Sequence, residues 1–128
     1  LFCGPLNLKD TVGTKTDNKY LKFFVNTVAW SLTGERNWQS SPAIEQASLV
    51  DHLTKDYPPT YITDANSYSF EDQGIAFANK LNSLGVETKS LFFKNSTKQI
   101  NHEYQFNFTT DEAKESFSLT VDFVKLHM

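Results

Sequence analysis

Cysteine occurs once in the 128 residues, at Cys3. A lone thiol cannot close an internal disulfide and suits a reducing compartment, so the chain is expected to be cytoplasmic. Cys3 itself reads as a buried strand residue. Asn95-Ser96-Thr97 and Asn107-Phe108-Thr109 match the glycosylation pattern, but the N-terminus lacks the basic and apolar stretches of a signal peptide. No apolar run is long enough to span a bilayer, so no membrane partner is expected. Basic residues number 12 against 15 acidic ones and do not cluster, which speaks against a phosphate-binding surface and a nucleic-acid partner. His52, His102 and His127 show no ligand spacing, and with one cysteine beside them no metal site and no cofactor are expected.

What is present suits a single compact domain: 39% of the residues are hydrophobic, sufficient for one core. The chain opens without methionine on LFCGP, which reads as the end of a strand entering a turn, and the expectation is a domain whose earlier part lies upstream. LKDTVGTKTDN reads as a loop. KYLKFFVNTVAWSLTG reads as a helix ended by Gly34, with one stripe of Leu21, Phe24, Val25, Val28, Ala29 and Leu32. A second stripe, Tyr20, Phe23, Thr27 and Trp30, needs another element, a ligand or a partner to cover it. In SSPAIEQASLVDHL, Ser41 is placed to cap a helix with Pro42 at its first position.

PPTYIT reads as a strand blocked at its start by two prolines. SFEDQGIAFANKLNSLG reads as a helix capped by the Ser69/Asp72 spacing and closed at Gly85, with Glu71 and Asp72 favourable against its dipole. VETKSLFF is a strand and KNSTKQ a loop; a last helix follows, with a Thr109/Glu112 capping spacing and a stripe of Ala113, Phe117, Val121, Val124 and Met128. INHEYQFNF alternates apolar and polar residues with His102 on the apolar side, so it reads either as a half-buried strand or as a loop that presents the histidine.

Strands alternating with helices predict an α/β fold, a mostly parallel sheet with flanking helices. Three strands leave an edge open for further pairing. Ligands of such sheets meet the loops at the carboxyl ends of the strands. Asp64 follows one strand and His102 the next, a partial pattern for an acid that orients an imidazole and an imidazole that takes a proton from a nucleophile. Asp64 reads equally as a turn residue, being close to Asn66 and Ser67.

SSPAIEQ, PPTYIT, SFEDQGIAFANKLNSLGVETKSLFF and NHEYQF, followed by a terminal helix, resemble the C-terminal half of an α/β-hydrolase. The likeness is to the esterase and lipase branch related to hormone-sensitive lipase, in particular its small bacterial esterases, and it covers nearly the whole chain. It implies one partial α/β-hydrolase domain over 1–128, with a helical cap insertion over about 10–56 and a strand-helix-strand-His loop-helix segment over 57–128. It implies a serine hydrolase acting on short acyl or acetyl esters, with His102 as catalytic base and Phe23 and Trp30 walling the acyl pocket. The family's acid position falls on Tyr68, which is no carboxylate, so Asp64 is the substitute candidate. The Gly-x-Ser-x-Gly elbow and the oxyanion-hole glycines of the family do not occur here. The chain alone is therefore expected to be inactive, its partner being the missing N-terminal half of the same fold. The alternative is a non-catalytic binding or interaction module with an aromatic surface of Phe23, Trp30 and Trp38.

Overall fold

The computed structural model describes residues 1–12 and 17–128. Among these are the helices α1 (Lys9–Val12), α2 (Lys19–Thr33), α3 (Pro42–Gln46), α4 (Glu71–Ser83) and α5 (Asp111–Leu126), and the strands β1 (Thr60–Thr63) and β2 (Thr88–Leu91). The polypeptide divides into two compact units, Leu1–Leu6 with Leu53–Met128, and Asn7–His52. It is a mixed helix-and-strand chain with a small two-stranded parallel sheet.

In the first unit β1 and β2 pair in parallel, in register from Thr60↔Thr88 to Thr63↔Leu91. All four β1 residues are buried, as expected of a strand covered on both faces. The strand expected at the N-terminus is reduced to an isolated parallel bridge, Phe2↔Thr63. Its ladder consists of Thr63 N–H to Leu1 O and Cys3 N–H to Thr63 O, each 3.1 Å.

Helix α4 crosses from β1 to β2 and buries Gln73, Gly74, Phe77, Ala78 and Leu81, one face at helical spacing. Phe77 and Leu81 are fully enclosed, and each such side chain contributes about 1.5–3 kcal/mol by leaving water. Gly74 is required by close approach, since a Cβ there would lie 2.9 Å from Cε1 of Phe92. The Ser69/Asp72 cap does not form. Phe70 occupies the N-cap position without a side-chain cap bond, and its N–H is instead held by Oδ2 of Asp64 at 2.9 Å. Glu71 is more than a first-turn charge: it is buried and accepts the N–H of Phe93.

The last helix also differs from expectation. Thr110, not Thr109, is the cap, with Oγ1 accepting Ala113 N–H at 3.3 Å. The buried positions are Ala113 and Ser116, while Phe117, Val124 and Met128 are exposed. The inward face is thus turned about one residue from the apolar stripe and includes a serine. Tyr61 supplies the reason: its hydroxyl meets Ser116 Oγ at 3.3 Å and its ring packs against Phe123 at 6.2 Å.

In the second unit the loop expected over 8–18 contains the short helix α1, and its residues 13–16 lie outside the described residues. Asn18 caps α2 by accepting Tyr20 and Leu21 N–H, and Gly34 closes it at φ 74, a left-handed conformation that glycine adopts without steric cost. No residue of α2 is buried. The stripe of Leu21, Phe24 and Leu32, expected to face a core, is exposed along with the second stripe. The unit is too short to enclose a helix that is apolar on two sides. Trp38 does find cover: it is buried, with Nε1 donating to Asn26 Oδ1 at 2.9 Å. Ser41 caps α3 as expected, but the helix ends at Gln46 and a 3-10 turn at Leu49–His52 follows.

Candidate active site

The 100–108 stretch is neither strand nor featureless loop. Ile100 and Tyr104 are buried, Tyr104–Phe106 forms a 3-10 turn, and Phe106 and Phe108 are exposed. Glu103 takes φ 62, which breaks the alternation immediately after His102. Three anchors fix the segment. Tyr104 packs with Ala65, Ile100 and Phe93. Its hydroxyl is 2.6 Å from Thr63 Oγ1; since that oxygen donates its own proton to Leu91 O, the phenol is the donor. Burial pushes this phenol up to about 12. Finally, His102 N–H donates to Ser67 O at 2.9 Å.

Asn66 does most of the stapling. Its Nδ2 donates to Phe93 O and Lys98 O, each at 3.0 Å, and its Oδ1 accepts Ile100 N–H at 2.9 Å. One amide thus holds both ends of the 94–99 loop to the end of β1. Two carbonyls on one side and an N–H on the other also fix which amide atom is oxygen.

His102 and Asp64 come together at the carboxyl end of the parallel strands. Nδ1 of His102 lies 3.4 Å from Oδ1 of Asp64. That is an ion-pair separation rather than a well-formed hydrogen bond, and among the described residues Nδ1 has no hydrogen-bond partner. Catalytic hydrogen bonds are commonly long before substrate is bound. The imidazole is half-buried and meets the Phe70 ring edge-on at 5.8 Å.

Asp64 is buried, with a side chain only 3% exposed. Oδ1 accepts Ala65 N–H at 2.7 Å and Oδ2 accepts Phe70 N–H at 2.9 Å. Both readings of Asp64 therefore hold in the geometry: it is a turn residue and it is the carboxylate beside His102. Tyr68, at the position where the resembled family carries its acid, is 87% exposed with φ 52.

A third group joins the pair that sequence spacing did not indicate. Cys3 Sγ, a carboxylate oxygen of Asp64 and a ring nitrogen of His102 all lie within 4.8 Å of one another. The thiol donates to Gln105 Oε1 at 3.2 Å. Burial, with the Asp64 carboxylate adding to the effect, pushes the thiol up to about 11. Cys3, Tyr68 and Glu103 are the non-glycine residues with positive φ among those described, and all three lie in or beside this site. Such conformations cost about 1–3 kcal/mol each and gather at functional sites.

Comparison with protein families, curated proteins and solved structures finds no match to this chain. A buried carboxylate beside Nδ1 favours the tautomer that leaves Nε2 free to accept a proton. Phe23 and Trp30 belong to the other unit and are exposed on α2, where Arg36 lies 5.1 Å over the Trp30 ring. Trp38, expected on the same aromatic surface, is withdrawn from it by burial. No helix among the described residues is long and apolar enough to cross a membrane.

Proposed function

We propose that Asp64 and His102 are the acid and base of a serine carboxylic ester hydrolase acting on short acyl or acetyl esters. In this reading the chain is the C-terminal part of an α/β-hydrolase of the branch related to hormone-sensitive lipase. Its serine and oxyanion-hole donors come from a preceding half of the same fold, and the chain alone is inactive. The observation that carries the reading is the 3.4 Å approach of His102 Nδ1 to the buried Asp64 carboxylate at the carboxyl ends of parallel strands. Asp64 orients the imidazole; Nε2 takes the serine proton during attack on the ester carbonyl and returns it to the departing alcohol.

The test uses the polypeptide that carries this chain together with its preceding half. Hydrolysis of p-nitrophenyl acetate and labelling by a fluorophosphonate are measured. His102→Ala abolishes both, and substantial remaining turnover sinks the base assignment. Asp64→Asn slows turnover at least about a hundredfold; an unchanged rate in a folded variant moves the acid elsewhere.

A second reading, a non-catalytic interaction module, draws on α2, where Tyr20, Phe23 and Leu32 are each more than 70% exposed. A protein that hydrolyses no ester but loses binding of an apolar ligand or protein on Phe23→Ala would favour it.

A further inference from the structure

We propose that Cys3, Asp64 and His102 form a site for a thiophilic divalent cation of the zinc type. The sequence gives no hint of it, because the ligands lie far apart in the chain and none is paired at a short spacing. The fold brings them together: Cys3 at the end of the N-terminal bridge, Asp64 after β1 and His102 beyond β2.

Three observations support the assignment. The donor atoms are one sulfur, one carboxylate oxygen and one imidazole nitrogen, a set that zinc accepts, all within 4.8 Å of one another. The His102 Nδ1 to Asp64 Oδ1 distance is 3.4 Å. Two such ligands at about 2.0–2.1 Å from a tetrahedral zinc are themselves about 3.4 Å apart, so this edge of the polyhedron is already set. The third is that the site holds a ring nitrogen without a partner. His102 Nδ1, which can offer a lone pair to a metal, makes no hydrogen bond among the described residues. A shielded polar atom of this kind calls for a partner.

Thiolate and carboxylate together balance the charge of a divalent ion. On binding, the thiol proton passes to solvent, the imidazole proton moves from Nδ1 to Nε2, and sulfur–metal and nitrogen–metal bonds form; nothing is oxidised. Three protein ligands leave a fourth position for water. The ion takes the same Nδ1 and carboxylate that the hydrolytic pair uses, so a metal-loaded site is not a hydrolytic one. The proposal shares residues with the hydrolase reading but does not rest on it, and its readout is binding, not ester turnover.

The test is titration of the untagged protein with Co2+, followed by the thiolate-to-cobalt charge-transfer band, and then displacement by Zn2+. One equivalent produces the band and Zn2+ removes it. Cys3→Ser abolishes the band, and His102→Gln weakens Zn2+ binding at least about tenfold; His52→Ala and His127→Ala change neither. If Cys3→Ser does not fold, His102→Gln carries the test. Absence of the band and of stoichiometric Zn2+ uptake in the unsubstituted protein overturns the proposal. So does retention of full affinity in both ligand variants.

Discussion

Asn66→Ala removes the staple on the histidine loop, and its cost can be worked from the contacts. The substitution leaves Ile100 N–H without its acceptor in a residue only 6% exposed; an unpaired buried N–H costs about 1–3 kcal/mol. Phe93 O and Lys98 O each lose a donor at 3.0 Å. Each of those bonds is worth about 0.5–1.5 kcal/mol net, and the more exposed Lys98 carbonyl recovers part of its share from water. The sum is about 2–5 kcal/mol, a large part of the roughly 5–15 kcal/mol that holds a small domain together. Asn66→Asp keeps the acceptor for Ile100 but sets a carboxylate against two carbonyls, and loses about 1–3 kcal/mol. Urea unfolding followed by far-ultraviolet circular dichroism gives the global cost, and hydrogen exchange at the Ile100 amide gives the local one. An Asn66→Ala protein within about 0.5 kcal/mol of the parent, with Ile100 protection unchanged, would refute the idea that this amide positions His102.

Other outcomes follow from burial and charge. Phe77 is fully enclosed between α4 and the sheet and meets Tyr57 edge-on at 5.7 Å, so Phe77→Ala is expected to cost about 3–5 kcal/mol in urea unfolding; a cost below about 1 kcal/mol would mean that the core is not packed there. The Cys3 thiol, raised from 9.0 to about 11, binds its proton more tightly in the folded state than in the unfolded one. Its contribution is therefore fully present below pH 9.0 and is lost as pH rises toward 11. Melting curves across that window are expected to fall more steeply for the parent than for Cys3→Ser; parallel curves would remove Cys3 from the account.

The parts legible in the sequence were those with strong local signals. Pro58-Pro59 before a β-branched run, the Gly34 stop and the periodic face of α4 marked β1, α2 and α4, with boundaries that differ by a residue or two. Local patterns failed where tertiary contacts chose otherwise. The alternation of 100–108 gave way to a turn because Tyr104 reaches Thr63 and Glu103 adopts a left-handed conformation. The apolar stripe of α5 does not mark its inward face, because the Tyr61 hydroxyl recruits Ser116, a residue that no hydrophobic stripe includes. Asp64 and His102 were visible as an acid and a base after successive strands. Asn66 and Cys3 carry no such signal, because nothing local shows that an asparagine spans a loop or that a strand-end thiol meets a histidine far along the chain. A buried glutamate at the start of α4 was equally silent, since Glu71 looks like any other helix-start charge until Phe93 is placed above it.

The two backbone N–H groups on the Asp64 carboxylate carry one more consequence. A buried acid that depended on the imidazole would tie the survival of the fold to the presence of the histidine. Here the main chain already solvates the charge, so His102 can tilt, exchange partners or be replaced without leaving a bare anion behind. The Asp64 carboxylate is held independently of His102, and the imidazole is the part free to change its partner.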